Sequence, residues 1–516
     1  MRGPFQNEPA LDFSLPENRA AMRAALEQVK SQLGQRYPIV IGGERRETGE
    51  WIRSVNPGNP DQVVGLVAKA RAADVEDAVK AAEAAYQEWR RMPASGRASV
   101  LFRMAAIIRR CKLELAAWMV YELDKPWDEA EGEVCEAIDF LEWYGRQALE
   151  VAQPVQLSHI PEEAVQLYWV PLGVGVIIPP WNFPCAILTG MTMGPVAAGN
   201  TAILKPASNT PVIGYKMFEI MEEAGVPAGV VNFLPGSGAE VGDALVDHPR
   251  VRFVNFTGSK DVGVRIYERA ARVQPGQRWL KRVAAEMGGK DAIIVDADAD
   301  LADAAQGIVA AAFGFSGQKC SACSRAIVHQ DVYDEIVERV VALTRETVKV
   351  GSGESGEATV CAVVDEKQYR TILNYIEIGK QEGRLVLGGE PAEGPGYYIQ
   401  PTIFVDVPAG ARIACEEIFG PVLAIVKAKD FDEALAIANA SEYGLTGSVY
   451  SRNRAHLERA RFEFEVGNLY LNRKCTAALQ GVHGFGGMKL SGTNTRAGGP
   501  DYLQHFMELK SVGERL

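Results

Sequence analysis

The chain has 516 residues, of which 47% are hydrophobic and 23% are charged, and this composition excludes a disordered chain, a collagen-like chain and a coiled coil. At roughly 150 residues per domain, the length predicts about three domains. The net charge of −12, from 54 Lys and Arg against 66 Asp and Glu, argues against a general nucleic-acid binder, because such binding depends on neutralising phosphates.

The ends and the apolar stretches of the sequence predict a cytoplasmic protein. Residues 1–13 lack the basic region and apolar run of a signal peptide. The most apolar stretch, residues 169–184, is interrupted by prolines and is too short to cross a bilayer as a helix. The cysteines are sparse and irregularly spaced, which favours reduced thiols, and the scattered histidines give no reason to expect a metal site.

The first part of the chain is predicted to be mostly helical. Residues 1–36 are expected to form a helical extension, with an amphipathic run over residues 17–30. Short strands are expected in residues 37–56, around Gly42-Gly43. Apolar residues then recur at spacings of three and four, as on the buried face of a helix, in residues 74–91, 94–121 and 129–148.

Strands alternate with helices in the rest of the chain. Short runs of Val and Ile bounded by Gly or Pro predict the strands, and amphipathic segments between them predict the helices. The alternation indicates parallel sheets with crossover helices, so we expect an α/β protein with two such domains and a cleft between them. The predicted strands are residues 174–178, 202–204, 230–233, 251–256, 292–295, 326–329, 422–426 and 448–450, and the predicted helices are residues 212–224, 239–247, 332–347, 366–382 and 431–439.

One glycine-containing turn is a candidate phosphate site. Gly258 and Ser259 follow the predicted strand 251–256 and open a helix, whose free N–H groups attract phosphate. The alternative is a plain connection between a strand and a helix. Residues 236–242 resemble the pattern G-x-G-x-x-G but miss its last glycine by one position, so they carry less weight.

Cys320 is the candidate for covalent chemistry. The sequence lacks the G-x-S-x-G of serine hydrolases and the H-E-x-x-H of zinc proteases. Cys320 and Cys323 form its only C-x-x-C, which leaves three interpretations open: a redox pair, half of a zinc site, or a single catalytic thiolate at Cys320. Glycines and small residues around Cys320 keep the thiol accessible, and the adjacent Lys319 would favour the thiolate.

Six short segments resemble the motifs of one family, in family order. They are P-W-N-F-P at 180–184, L-K-P-A-S at 204–208, F-T-G-S at 256–259, E-M-G-G-K at 286–290, G-Q-K-C at 317–320 and E-E-I-F-G-P-V at 416–422. From about residue 37 to its end, the chain resembles the NAD(P)-dependent aldehyde dehydrogenases. Residues 136–140, 318–325 and 467–502 resemble the branch of that family that oxidises L-glutamate γ-semialdehyde.

The resemblance implies two Rossmann-type α/β domains and a small β-flap that joins subunits into a homodimer or a dimer-based hexamer. An N-terminal extension, residues 1–36, precedes them. The implied NAD-binding domain comprises residues 37–149 and 171–285, the catalytic domain residues 286–490, and the oligomerisation flap residues 150–170 and 491–516.

The resemblance also implies a covalent mechanism at Cys320. The thiolate adds to the aldehyde carbon, and the side-chain amide of Asn182 and the backbone N–H of Cys320 hold the oxygen that becomes negative. After hydride leaves, Glu286 activates the water that hydrolyses the thioester.

We expect NAD as cofactor with NADP tolerated, because Ser208 stands where many NAD-specific members carry a glutamate that repels a 2′-phosphate. The implied contacts are Lys205 and Ser208 at the adenosine ribose, Gly258 and Ser259 at the pyrophosphate, Glu417 and Phe419 at the nicotinamide ribose, and Pro180, Trp181 and Gly288.

The implied substrate carries an α-amino acid head group. For each side chain assigned to it, the alternative is packing within a loop or helix. The family usually has glycine where Ala477 and Asp124 stand, and His483-Gly484 replaces a polar residue and a proline; these departures bear on the choice of substrate and leave the chemistry intact. The implied contacts are Ser321 and the N–H groups of Ala477 and Ala478 for the carboxylate, Phe183 and Phe485 for the aliphatic part, and Glu136 for the amino group.

Three other functions stay open on the sequence alone. An enzyme for another semialdehyde, such as succinate semialdehyde, would use the same chemistry. A cofactor-independent hydrolase would use Cys320 and Glu286 on esters. A non-catalytic protein would keep only the fold, although the complete set of Cys320, Glu286 and Asn182 argues against it.

Overall fold

The computed structural model describes residues 3–153, 155, 157, 158 and 160–516. Residues 1 and 2 of the predicted extension and residues 154, 156 and 159 of the predicted flap lie outside the described residues. Two seven-stranded sheets, both mostly parallel, organise the described chain, and three smaller sheets accompany them.

The first 151 residues of the chain form, where they are described, five helices and five strands. Residues 3–12 run without a helix, which begins only at Pro16. Gly42 and Gly43, with φ of 60° and 84°, form the tight turn of a hairpin. The elements are α1 (Pro16–Lys30), β1 (Gln35–Tyr37), β2 (Ile39–Ile41), β3 (Glu44–Arg46), β4 (Trp51–Asn56), β5 (Asn59–Ala68), α2 (Ala72–Trp89), α3 (Ala94–Arg110), α4 (Lys112–Leu123) and α5 (Trp127–Val151).

The prediction of one helix over residues 94–121 is wrong. The segment forms two helices, α3 and α4, which meet at Cys111. Cys111 has φ of −107° and ψ of 24°, outside the helical range, so the chain changes direction there. An apolar period that continues across the junction does not reveal such a break.

The first large sheet is ordered β11-β10-β7-β8-β9-β2-β3, and its strands from β7 to β11 pair in parallel. Neighbouring residues along β8 face two different hydrophobic cores. Ala202 and Leu204 pack into one core and Ile203 packs into the other, so the sheet is buried on both faces. The elements are β6 (Glu163–Pro171), β7 (Val174–Ile178), α6 (Ala186–Ala197), β8 (Thr201–Leu204), α7 (Pro211–Glu223), β9 (Val231–Phe233), α8 (Asp243–Asp247), β10 (Phe253–Thr257), α9 (Lys260–Ala271) and β11 (Arg282–Glu286).

The second large sheet is ordered β14-β15-β16-β13-β12-β18-β19 and is parallel except at β14. Ile294 and Ile293 on β12 again face different cores. The elements are β12 (Asp291–Val295), α10 (Leu301–Phe313), β13 (Cys323–His329), α11 (Tyr333–Thr347), α12 (Glu366–Glu382), β14 (Arg384–Leu387), β15 (Thr402–Val405), α13 (Arg412–Cys415), β16 (Val422–Ala428), α14 (Phe431–Asn439), β17 (Tyr443–Gly444), β18 (Thr446–Tyr450), α15 (Arg454–Glu463), β19 (Asn468–Leu471), β20 (Met488–Lys489) and β21 (Met507–Arg515).

A separate two-stranded sheet joins the end of the chain to its middle. β21 pairs antiparallel with β6 along its whole length, from Met507 opposite Pro171 to Arg515 opposite Glu163. Several apolar side chains of this ribbon are exposed, among them Tyr168 and Leu509. That the ribbon joins subunits stays a prediction.

In the segments that the structure describes, no helix combines the length and the apolar character that a membrane crossing requires.

Candidate active site

Cys320 follows a constrained turn at the end of α10. Phe315, Ser316 and Gly317 take left-handed φ values of 50°, 58° and 66° in succession. The Ser316 hydroxyl donates to the Cys361 carbonyl oxygen and accepts from the Cys361 N–H, both at 2.8 Å, which holds the turn in place. Cys320 itself is half-buried, and all eight cysteines are free thiols.

Asn182 lies on the loop that follows β7, and its side chain is tied to the Cys320 turn. The amide Nδ2 donates to the carbonyl oxygen of Gln318 at 2.9 Å, two residues before Cys320. Nδ2 carries two hydrogens, so one stays available to a substrate oxygen. The side chain that the sequence predicts as an oxyanion donor is therefore brought to the candidate nucleophile.

A buried ion pair that no sequence pattern predicts supports this loop. Lys125 and Glu133 are fully buried and form a salt bridge. The Lys125 Nζ also donates to the backbone oxygen of Asn182 at 2.9 Å. Glu133 accepts from the N–H groups of Cys185 at 2.7 Å and Ala186 at 3.0 Å, at the start of α6. The pair thus joins the end of α4 and helix α5 to the Asn182 loop and to the start of α6.

Glu286 ends β11, with one oxygen bound and the other free. Its Oε2 accepts from the Gly487 N–H at 2.9 Å, whereas its Oε1 is buried without a hydrogen-bond partner in the described chain. Burial raises the pKa of Glu286 well above its usual range. A carboxyl group with a raised pKa and an unused oxygen is suited to accept a proton.

Burial and nearby carboxylates act on the Cys320 thiol. Burial raises its pKa, and the negative charges of Asp291, Glu417 and Glu286 raise it further. The Lys319 side chain pairs with Glu129 at 2.6 Å, so its charge is already committed. These influences favour the protonated thiol, so Cys320 must lose its proton before it can act as a nucleophile.

Two of the predicted cofactor residues lie just after β8. Lys205 is buried, and its Nζ donates only to backbone oxygens of Pro206 at 3.3 Å and Gly236 at 3.1 Å among the described residues. Burial lowers the pKa of Lys205 to about 8. Ser208 is exposed. The weak glycine motif at residues 236–242 therefore lies beside Lys205, a proximity that its sequence did not reveal.

The remaining cofactor residues lie at a helix N-terminus and around a carboxylate. Ser259 caps α9 without using its side chain, so the first N–H groups of that helix stay free for an anion. Glu417 accepts from the Gly289 N–H at 3.0 Å, and a Cβ at Gly288 would lie 2.2 Å from its Oε2, so a side chain there would displace the carboxylate. The ring of Phe419 lies edge-on to Trp181, which follows Pro180, at 5.5 Å. A buried ammonium, a free helix N-terminus and a held carboxylate together fit a dinucleotide.

The predicted substrate residues lie on three loops and one helix that hydrogen bonds connect. The Cys475 thiol donates to the Ser321 carbonyl oxygen at 3.4 Å, which joins the Cys320 turn to the loop of Ala477 and Ala478. Ala477 keeps a left-handed φ of 65°, the conformation expected of the glycine it replaces. Glu136 on α5 accepts from Gln480 Nε2 at 2.8 Å. Phe183 packs against Lys125, and Phe485 pairs by its backbone with Ala497.

No metal site accompanies this arrangement: nowhere in the described part of the chain do three or more His, Cys, Asp or Glu side chains come together so that they could hold a metal ion.

The model of the aldehyde dehydrogenase family matches residues 44–512. The chain belongs to the aldehyde dehydrogenase family. The resemblance seen in the sequence and the predicted α/β fold of the aldehyde dehydrogenase type are thereby confirmed.

Relatives of this aldehyde dehydrogenase match it over nearly its full length. The 1-pyrroline-5-carboxylate dehydrogenases of Geobacillus kaustophilus and Geobacillus thermodenitrificans are each 58% identical over 511 residues, 99% of both chains. The crystal structure of 1-pyrroline-5-carboxylate dehydrogenase from Thermus with bound NAD is 55% identical, covers 100% of both chains and superposes with a TM-score of 0.98.

Proposed function

We propose that this aldehyde dehydrogenase oxidises L-glutamate γ-semialdehyde, which is in equilibrium with 1-pyrroline-5-carboxylate, to L-glutamate with NAD⁺, the second step of proline degradation. The full-length identity to relatives named for that reaction carries the proposal. The connection of Glu136, the Ala477 loop and the Cys320 turn supports it, because an α-amino acid head group needs partners for both an ammonium and a carboxylate.

Cys320 adds to the aldehyde carbon as a thiolate, after this half-buried thiol has released its proton to solvent. The negative oxygen of the thiohemiacetal is held by the second N–H of the Asn182 amide and by the backbone N–H of Cys320. Loss of one such donor typically costs about 3 kcal/mol of transition-state stabilisation. Bound NAD⁺ supplies the acceptor for the hydride that leaves the substrate carbon, and the product on Cys320 is a thioester.

Glu286 then accepts a proton from the water that hydrolyses this thioester. Gly486 and Gly492 leave room beside the carboxylate, since a Cβ on them would lie 3.3 Å and 3.1 Å from its oxygens. A base with a raised pKa takes up the proton readily at neutral pH and returns it to solvent between turnovers.

Lys205, Ser208, Gly258, Ser259, Glu417 and Phe419 would hold the dinucleotide, with Pro180, Trp181 and Gly288 beside them. We expect NADP to be tolerated, because the exposed Ser208 hydroxyl does not repel a 2′-phosphate. A gap of more than about a thousandfold in kcat/KM between NAD and NADP, roughly 4 kcal/mol, would contradict this.

The deciding experiment measures NADH formation with L-glutamate γ-semialdehyde and with succinate semialdehyde. Wild type should show the higher kcat/KM for the first substrate, and Cys320→Ala should lose turnover of both. Cys415→Ala, which alters another half-buried free thiol, is the matched control and should stay active. A preference for succinate semialdehyde, or ester hydrolysis without NAD that exceeds the NAD-linked rate, would refute the proposal.

The assembly and the compartment belong to the same proposal. The exposed apolar side chains of the β6–β21 ribbon support a homodimer, or a hexamer built from dimers, in which the ribbon packs on a second copy. We further propose a cytoplasmic location, where the eight free thiols stay reduced.

A further inference from the structure

The N-terminal segment before α1 contacts the candidate substrate site. Asn7 Nδ2 donates to the carbonyl oxygen of Gln480 at 3.0 Å and to the Asp139 carboxylate at 2.8 Å. The N–H of Glu8 donates to the other oxygen of Asp139 at 2.7 Å. Asp139 lies one turn after Glu136 on α5, so Asn7 bridges α5 and the loop that carries Ala477 and Ala478.

Gln480 makes a second bridge between the same two elements. It is buried, and its Nε2 donates to Glu136 Oε1 at 2.8 Å. The chain packs closely around it: a Cβ on Gly498 would lie 1.7 Å from Gln480 Oε1, and the Gly481 N–H donates to the Gly498 oxygen at 3.0 Å. One oxygen of Glu136 is thereby occupied, and no hydrogen bond from the described residues engages its other oxygen.

Aromatic side chains also pack where α5 contacts the loop that carries Ala477 and Ala478. The Phe5 ring lies edge-on to Trp143, one turn beyond Asp139, at 5.3 Å. Phe5 also covers Gly481, where a Cβ would meet its ring at 2.8 Å. The Trp143 Nε1 donates to the Gly499 oxygen at 3.1 Å. The segment therefore holds the loop against the helix with both polar and apolar contacts.

We infer that Asn7 and Gln480 are positioning residues that fix Glu136 at a set distance from the Ala477–Ala478 loop, and so determine the preference for aldehydes with an α-amino acid head group. The inference rests on the proposed function, because it assigns the head group's ammonium to Glu136 and its carboxylate to that loop. Two separate binding groups hold a bifunctional head group well only if the spacing between them is kept.

The surroundings of Glu136 raise its pKa, and the hydrogen bond from Gln480 opposes that rise. Burial raises the pKa of Glu136 to about 8, the carboxylates of Glu133 and Asp139 act in the same direction, and Lys125 and the Gln480 hydrogen bond lower it. A donor on Glu136 favours the ionised form, which is the form that binds an ammonium group. Gln480 thus orients the carboxylate and also helps to keep it charged.

The test compares two five-carbon aldehydes, L-glutamate γ-semialdehyde and glutarate semialdehyde, which lacks the amino group. In Gln480→Leu and Asn7→Ala, KM for the amino acid aldehyde should rise by about tenfold, the loss expected for one hydrogen bond to a charged group, with little change in kcat. Kinetics with glutarate semialdehyde should change less than about threefold. Asn18→Ala, which removes an exposed hydrogen bond from the same N-terminal region, should leave both substrates unaffected.

Turnover of glutarate semialdehyde also shows that each variant is folded, and Asn7→Ala is the milder of the two changes. Equal losses on both aldehydes, or a fall in kcat at constant KM, would overturn the inference. A wild-type enzyme that does not prefer the amino acid aldehyde would overturn the proposed function and the inference together, whereas variants that keep a wild-type preference overturn the inference alone.

Discussion

At the scale of single residues, the unused oxygen of Glu286 decides the second half of the reaction. Glu286→Gln should lower kcat by about 10²–10⁴-fold, since a positioned base contributes that much, and should leave an initial burst of NADH of about one per subunit. Rapid-mixing measurements of NADH separate the burst from steady turnover. Glu465→Gln, at a surface ion pair with Lys489, is the control and should behave as wild type.

The same carboxyl group sets the expected pH dependence. Burial raises the pKa of Glu286, so the group is protonated and inactive as a base below that pKa, and the rate of thioester hydrolysis should rise as the pH rises through it. The Glu286→Gln variant should lack this rise. A wild-type rate of hydrolysis that falls with increasing pH over the neutral range would contradict the assignment.

The left-handed backbone conformation of Ala477 costs stability, and this cost can be measured. Its φ of 65° is a conformation that L-residues adopt at a cost of about 1 kcal/mol and glycine adopts freely. Ala477→Gly should therefore increase the free energy of unfolding by up to about 1 kcal/mol, which thermal denaturation would show as a slightly higher midpoint. The variant should keep its kcat/KM. Ala478→Gly, next to it and without a left-handed φ, should lower stability by about 0.5 kcal/mol. Equal effects of the two changes would refute the argument.

At the scale of elements, the Lys125–Glu133 pair joins α4, α5 and the start of α6 to the Asn182 loop. Lys125→Met leaves a buried carboxylate without its partner, so we expect a loss of about 3–5 kcal/mol in the free energy of unfolding. Adding Glu133→Gln should recover part of it, because the amide oxygen still accepts from the N–H groups at the start of α6.

Chemical denaturation, or inactivation half-life where unfolding is irreversible, measures this effect. Lys80→Met, which breaks an exposed pair with Glu76, should cost less than about 1 kcal/mol. A Lys125→Met protein as stable as wild type would show that the pair does not hold these elements together.

At the scale of the whole molecule, Asp124 joins the helical elements of the N-terminal half to the second α/β region. Its carboxylate accepts from the N–H groups of Gly353 at 2.8 Å and Ala362 at 3.0 Å, and from the hydroxyls of Ser352 at 3.1 Å and Tyr398 at 2.9 Å. Asp124→Asn keeps a side chain that tolerates its φ of 53° but turns an NH₂ group toward two donors.

We expect Asp124→Asn to cost about 3 kcal/mol of stability, the sum of two lost hydrogen bonds in a buried site. Differential scanning calorimetry would detect it as a lower transition temperature. Asp406→Asn is the matched control: Asp406 also has a left-handed φ, of 55°, but is exposed and pairs with Arg384 at the surface, so its change should stay below about 1 kcal/mol.

Much of the fold was predictable because its sheets are buried on both faces. Such strands consist of apolar runs, and those at residues 174–178 and 422–426 were located to within two residues. Helix α6 was not predicted. It is buried almost all round and contains Pro195, so its sequence lacks the alternation of apolar and polar residues that marks a helix. Family motifs supplied the candidate chemical groups of the site.

The supporting contacts were not predictable in the same way. Lys125 lies 57 residues from Asn182, and Gln480 lies 344 residues from Glu136. No local pattern marks either residue, because what defines them is a partner brought near only by the finished fold. The roles of Cys320, Glu286 and Asn182 as catalytic groups stay predictions.

The three left-handed residues before Cys320 have a consequence for how the enzyme fails. An isolated peptide of this turn would relax into other conformations, so the reactive geometry exists only while Ser316 is bound to Cys361 from a distant part of the chain. If the backbone around Cys361 loosens, the turn is released even though the sheets stay folded. On heating, the enzyme should accordingly lose its activity at a lower temperature than it loses its helical structure.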